Sequence, residues 1–211
     1  MKHLSLIFLS MVLLLISCKR EEIRIACVGD SITEGAGTKN QSTSSYPVVL
    51  DQLLGKGYNV LNCGRSAATM LKKSDFSFWE TNQLYNLFVF KPDIITIALG
   101  TNDSKDHNWD AANFENDYIA LIDSLKTLLP QSTIFISNPP PAFNHSWGIN
   151  DSTICFQILP IIQRISKQEN VKIIDFYTPM KDQIQLFPDK IHPNEEGATL
   201  MAEIIKKSIN N

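Results

Sequence analysis

Ile23-Arg24-Ile25-Ala26-Cys27-Val28-Gly29-Asp30-Ser31-Ile32-Thr33 decides the fold. An apolar run, broken by Arg24 alone, meets a glycine and then polar residues suited to the start of a helix. Four further runs have the same character: Tyr58–Asn62, Asp93–Leu99, Thr133–Ser137 and Val171–Asp175. None alternates cleanly between apolar and polar. Strands of a parallel sheet read this way when helices cover both faces.

Helical patterns lie between these runs. Phe114, Tyr118, Leu121, Ile122, Leu125, Leu128 and Leu129 recur at helical spacing, and Pro130 stops them. A helix over Ser45–Leu54 takes Pro47 in its first turn, where the missing N–H costs nothing. Ile154, Ile158, Ile161, Ile162 and Ile165 mark another helix, in which Pro160 is expected to cause a kink. Ala198, Met201, Ala202, Ile205 and Ile209 form the last. Asn194 is its expected N-cap, with Glu195 and Glu196 in the first turn, where the helix dipole favours anions. Alternating strands and helices imply one doubly wound, three-layer α/β/α domain with right-handed crossovers. Ligands of such sheets bind beyond the carboxyl ends of the strands.

Composition fits that class. The chain has 211 residues, 44% hydrophobic and 19% charged, enough for a core and too little charge for disorder. Its 19 basic and 22 acidic side chains leave a net charge of −3. No long basic run appears, which argues against a nucleic-acid partner. Gly35-Ala36-Gly37 begins like a dinucleotide fingerprint, but Asn40 replaces the last glycine. There is no phosphate-binding Walker sequence, and the reading requires no cofactor.

The N-terminus reads as a leader. Met1-Lys2-His3 is basic, and Leu4–Ile16 is apolar but too short to span a bilayer. Leu15-Ile16-Ser17-Cys18 resembles the lipobox of bacterial lipoproteins. Residues 1–17 are therefore expected to be a signal peptide, Cys18 the lipidated residue, 18–22 a tether and 23–211 the folded domain. Such a chain would be extracytoplasmic and held at the membrane by its lipid alone.

Cys27, Cys63 and Cys155 remain, an odd number with no CxxC spacing, so a zinc site has no support. A Cys27–Cys63 disulfide stays open at this point, beside the plainer reading of both as small buried residues. Asp103, Asp106 and His107 form no recognised metal spacing, and no metal is expected. His107 and His145 read as loop residues.

Four short blocks follow strand ends: Gly29-Asp30-Ser31-Ile32-Thr33, Asn62-Cys63-Gly64-Arg65-Ser66, Gly100-Thr101-Asn102-Asp103 and, near the C-terminus, Asp189-Lys190-Ile191-His192-Pro193. Singly each is ordinary, since serine after a strand is usually a cap. Together and in order they resemble the SGNH (GDSL) hydrolase superfamily. The resemblance implies a flavodoxin-like five-stranded parallel sheet of order 2-1-3-4-5. It also implies a serine esterase with Ser31, His192 and Asp189 as catalytic residues. Ser31, Gly64 and Asn102 would be the oxyanion donors.

Chemistry agrees with those residue types. A serine hydroxyl is a weak nucleophile until a base removes its proton. His192 can be that base, and Asp189 can hold the imidazole tautomer. The long segment Phe176–Ile191 can carry His192 back over about three strand spacings, roughly 14 Å. The α/β-hydrolase nucleophile elbow is disfavoured, because G-D-S-I-T lacks the second glycine of G-x-S-x-G.

The substrate reading is finer. Gly100–Ser104, Asn108-Trp109 and Trp147–Asp151 resemble sialate O-acetylesterase and acetylxylan-esterase-like proteins. That implies removal of acetyl groups from small or polymeric sugar esters. Trp109 and Trp147, in loops at the active-site edge, are candidate substrate contacts that can stack on a sugar or pack an acyl group, beside the plainer reading of loop packing. A lysophospholipase or thioesterase of the same superfamily is the alternative. A carbohydrate-binding lipoprotein with a decayed site is disfavoured, because every triad and oxyanion position is filled.

Overall fold

A computed structural model describes residues 22–210. The leader, Cys18 and the tether up to Glu21 lie outside the described residues. The elements run β1 (Ile23–Gly29), α1 (Ser31–Glu34), α2 (Gln41–Ser44), α3 (Tyr46–Leu54), β2 (Tyr58–Gly64), α4 (Asn82–Phe90), β3 (Ile94–Ala98) and α5 (Ala111–Leu128). They continue as β4 (Thr133–Asn138), α6 (Asp151–Thr153), α7 (Leu159–Glu169), β5 (Lys172–Asp175), α8 (Tyr177–Met180) and α9 (Glu195–Ile209). All strand pairs are parallel, and the order is 2-1-3-4-5, as the family resemblance implies.

The near-continuous apolar strands are explained by the two cores they serve. Ala26, Val28, Ile95 and Ile97 face a core shared with Leu87 of α4, Phe114 and Tyr118 of α5 and Ile161 of α7. Ile25 and Cys27 point the other way, against Tyr46 and Leu50 of α3 and Met201 and Ile205 of α9. Alternation survives, but both directions are apolar. Burying one such aliphatic side chain contributes about 1.5–3 kcal/mol.

The same alternation settles the cysteines. Cys63 is in register with Val28, one residue beyond the Cys27 pairing, and shares the α4–α5 face. Cys27 lies in the opposite core. The two thiols are on opposite sides of the sheet, so the disulfide left open by the sequence does not form. Burial pushes both thiols up to about 12, which makes them inert packing groups.

Pro160 lies where a π-helical turn meets α7. It stands in the first turn of α7, directly after a π-helical turn over Ile154–Ile158. The backbone on either side of that turn stays in the right-handed helical region. A widened turn of this kind is a recognised place for a helix to kink, and it lies directly before the proline at which the sequence expects one. As expected, Asn194 caps α9, its Oδ1 accepting the Gly197 N–H at 3.0 Å.

Register positions the site. Gly29, Gly64 and Ala98 pair across β2, β1 and β3. The blocks after these strands therefore start from one level of the sheet edge.

Candidate active site

The turn from β1 into α1 depends on Gly29. A Cβ there would lie 2.0 Å from Thr33 Oγ1 and 2.8 Å from the Ala98 carbonyl. Only glycine allows the helix to begin so close to the strand. Asp30 caps α1, its Oδ1 accepting the Ile32 N–H at 2.9 Å. Ser31 is thereby held as the first helical residue, half-buried at the sheet edge.

Phe176–Ile191 returns His192 to this edge. Asp189 organises the end of that segment. Its Oδ1 accepts the N–H groups of Ile191 at 2.9 Å and His192 at 2.7 Å. Its Oδ2 lies 2.7 Å from His192 Nδ1, and His192 Nε2 lies 2.8 Å from Ser31 Oγ. Three residues spread over 161 positions form one hydrogen-bonded chain. Gly37 lets a second loop press against it, since a Cβ there would lie 2.8 Å from His192 Cβ.

Electrostatics supports one proton arrangement. Burial works to raise the Asp189 carboxyl, but N–H groups of His192 and Ile191 and the His192 ring outweigh it. They hold Asp189 below the usual carboxylate range. An ionised Asp189 accepts from Nδ1–H, which leaves Nε2 free to accept the Ser31 proton.

Asp103, in the loop after β3, has a structural task that sequence reading missed. It is buried, and its two oxygens accept the N–H groups of Met70 at 3.0 Å and Leu71 at 2.9 Å. This ties the loop after β3 to the loop after β2. Asn102 then lies beside that loop, its Nδ2 donating to the Ala68 carbonyl at 3.2 Å. Its second N–H is available to a ligand.

The oxyanion expectation for Gly64 needs correction. Its N–H donates to Asn62 Oδ1 at 2.8 Å. A Cβ at Gly64 would lie 2.1 Å from the Glu34 N, so the glycine serves close packing of β2 on α1. Ala67, three residues on, has a free donor instead. Its φ is +64°, uncommon for alanine, and its N–H donates to no group among the described residues. Neither does the Ser31 N–H. Ala67 is fixed between Ser66, bound to Glu34, and Ala68, bound to Asn102.

The two tryptophans separate. Trp109 packs on Phe114, ring centroids 5.4 Å apart, and its Nε1–H donates to Gln157 Oε1 at 2.7 Å. It extends the α5 core and is not brought to His192. Trp147 is the residue beside the site. Its ring lies 5.3 Å from that of His192, and it is 60% exposed.

Asp30 carries a pH signature. Its Oδ2 is buried without a partner. Burial pushes the carboxyl up to about 6, against the Ile32 N–H and nearby His192, which favour the charge. A raised folded-state pKa means the native protein holds this proton more tightly than the unfolded chain. The group's contribution to stability therefore falls as pH rises from about 4 to about 6, and stays constant above. Asp30→Asn keeps an oxygen for the cap and cannot ionise. Its stability relative to wild type is expected to rise by on the order of 2–3 kcal/mol between pH 4 and pH 7. Urea midpoints of both proteins across that range check this, and a pH-independent difference would contradict it.

Comparison with known proteins places this geometry. Residues 27–200 match the model of the GDSL-like lipase/acylhydrolase family. An acetylxylan esterase of Xylanibacter ruminicola is 40% identical over 210 residues. The match covers 90% of this chain and 44% of that protein, so the chain spans less than half of its relative's length. Among solved structures, a lipase/acylhydrolase from Enterococcus faecalis superposes with a TM-score of 0.70 at 21% identity, covering 88% of this chain and 94% of that one. A carbohydrate acetylesterase from Sinorhizobium meliloti superposes with a TM-score of 0.72 at 18% identity, covering 90% and 99%. The structural neighbours share the fold. On the family match, which takes in every block from Gly29 to Pro193, the chain belongs to the GDSL-like lipase/acylhydrolase family.

Proposed function

We propose that this chain is a serine esterase that removes acetyl groups from O-acetylated carbohydrates through an acyl-enzyme. The observation that carries the reading is the continuous Ser31–His192–Asp189 hydrogen-bond chain, at 2.8 and 2.7 Å. Ser31 Oγ attacks the acetyl carbonyl carbon while its proton passes to His192 Nε2. The carbonyl oxygen becomes an oxyanion facing the Ser31 N–H, the free Asn102 Nδ2–H and the Ala67 N–H in place of Gly64. Collapse breaks the bond to the sugar oxygen, which takes the proton from Nε2 and leaves. Water then repeats the sequence on the acetyl-Ser31 ester, giving acetate and free Ser31.

The acetyl preference rests on the 40% identity with a protein named acetylxylan esterase. A chain-length series tests it against the lysophospholipase or thioesterase alternative. A small acyl pocket rejects long chains by overlap. A groove gains about 0.8 kcal/mol for each buried CH₂. The expected result is that kcat/KM falls from acetate through butyrate to octanoate esters of one alcohol. A rise across the series would replace the acetylesterase reading with the long-chain one.

A further inference from the structure

The loop that follows β4 is held from two sides. The Phe143 N–H donates to the Lys190 carbonyl at 2.8 Å, and the Phe143 ring packs on Phe187 with centroids 5.1 Å apart. Both partners belong to the segment that delivers His192. At its other end, the Asn150 N–H donates to Ser104 Oγ at 3.0 Å, two residues beyond Asn102. The loop thus bridges the base and the oxyanion side. Trp147 lies between these anchors with φ +54°, a left-handed conformation unfavourable for a non-glycine residue. The strain supports no core packing, because the indole is 60% exposed. Its ring contact is with the His192 imidazole, at 5.3 Å.

The chemistry of the acylation step says which part of a substrate meets that indole. His192 Nε2 must reach two atoms in turn: Ser31 Oγ, from which it takes a proton, and the departing alcohol oxygen, to which it gives it. The alcohol therefore sits against His192. The oxyanion turns toward the donors at Ser31, Ala67 and Asn102. An indole packed on the imidazole flanks the alcohol.

We propose that Trp147 is a specificity-determining residue that binds the leaving alcohol, stacking on the apolar C–H face of a sugar ring held over His192. The proposal rests on the esterase reading above and adds which half of the ester the tryptophan recognises. It predicts that selectivity for the sugar and selectivity for the acyl group are separate properties, because Trp147 takes no part in holding the acyl chain.

The test compares wild type, Trp147→Ala and Trp147→Phe on two acetate esters. One is an acetylated xylo-oligosaccharide. The other is trifluoroethyl acetate, whose small activated alcohol offers no ring to stack. Trp147→Ala is expected to lose about tenfold or more in kcat/KM on the oligosaccharide, chiefly in KM. On trifluoroethyl acetate it should stay within about twofold of wild type with the same pH profile, which also shows that the variant is folded. Trp147→Phe should recover most of the loss. An equal loss on both esters, or a shifted pH profile, would mean that Trp147 acts through His192 and would overturn the proposal. So would no loss on either. Wild type that cleaves trifluoroethyl acetate but not the oligosaccharide would overturn the carbohydrate reading instead, and this proposal with it.

Discussion

Ser31→Ala is expected to reduce kcat by about 10⁴- to 10⁶-fold, the range seen when a triad nucleophile is removed. At about 1.4 kcal/mol for each factor of ten, that is roughly 5–8 kcal/mol of transition-state stabilisation. The size follows from the role: without Oγ there is no covalent intermediate, and His192 has no proton to take. The fold should hardly notice. The hydroxyl is half-buried, its hydrogen bond is to His192, and the α1 cap is made by Asp30. Thermal unfolding should therefore match wild type within a few degrees while turnover of an acetate ester is lost. A kcat within tenfold of wild type would remove Ser31 from the mechanism.

Asn102→Ala is expected to cost about 10²- to 10³-fold in kcat with little change in KM. Loss of one side-chain oxyanion donor is worth about 3–4 kcal/mol. The split between the parameters carries the argument. The donor is aimed at charge that appears only after attack, so ground-state binding is spared. Asn102 also donates to the Ala68 carbonyl at 3.2 Å, which ties it to the loop after β2. Asp103 anchors the same two loops through Met70 and Leu71 and is untouched by the substitution, which keeps the loops in place. A variant with unchanged kcat would exclude Asn102 as a donor. Equal changes in kcat and melting behaviour across a series of Asn102 variants would make it a structural residue.

Features local in sequence, or repeated at every strand end, were legible before the structure. Five strands, the Asn194 cap and the Ser31, Asp189 and His192 blocks all carry their signal within a few residues. What stayed hidden depends on long-range geometry or on residues without a signature. Helix α4 was missed because Tyr85 and Val89 lie exposed among its buried and half-buried apolar residues, which blurs the one-sided pattern. Gly64 takes the oxyanion role in the family resemblance because it is the glycine of the second block. Its lack of a side chain serves contact with Glu34, and the open amide belongs to Ala67, whose left-handed backbone nothing in an alanine announces. Asp103 acts on Met70 and Leu71, more than thirty residues earlier, a link no local motif encodes. Trp109 and Trp147 look equivalent as loop aromatics. Phe114 and Gln157 claim the first, and His192 the second.

The account stands on Ser31 being the nucleophile, and a fluorophosphonate tests this directly, because it reacts preferentially with a serine activated for attack. After treatment of the full chain, intact-mass analysis and peptide mapping should show a single adduct on Ser31, absent from Ser31→Ala. An adduct on another residue, or labelling of Ser31→Ala at the wild-type level, would contradict the account.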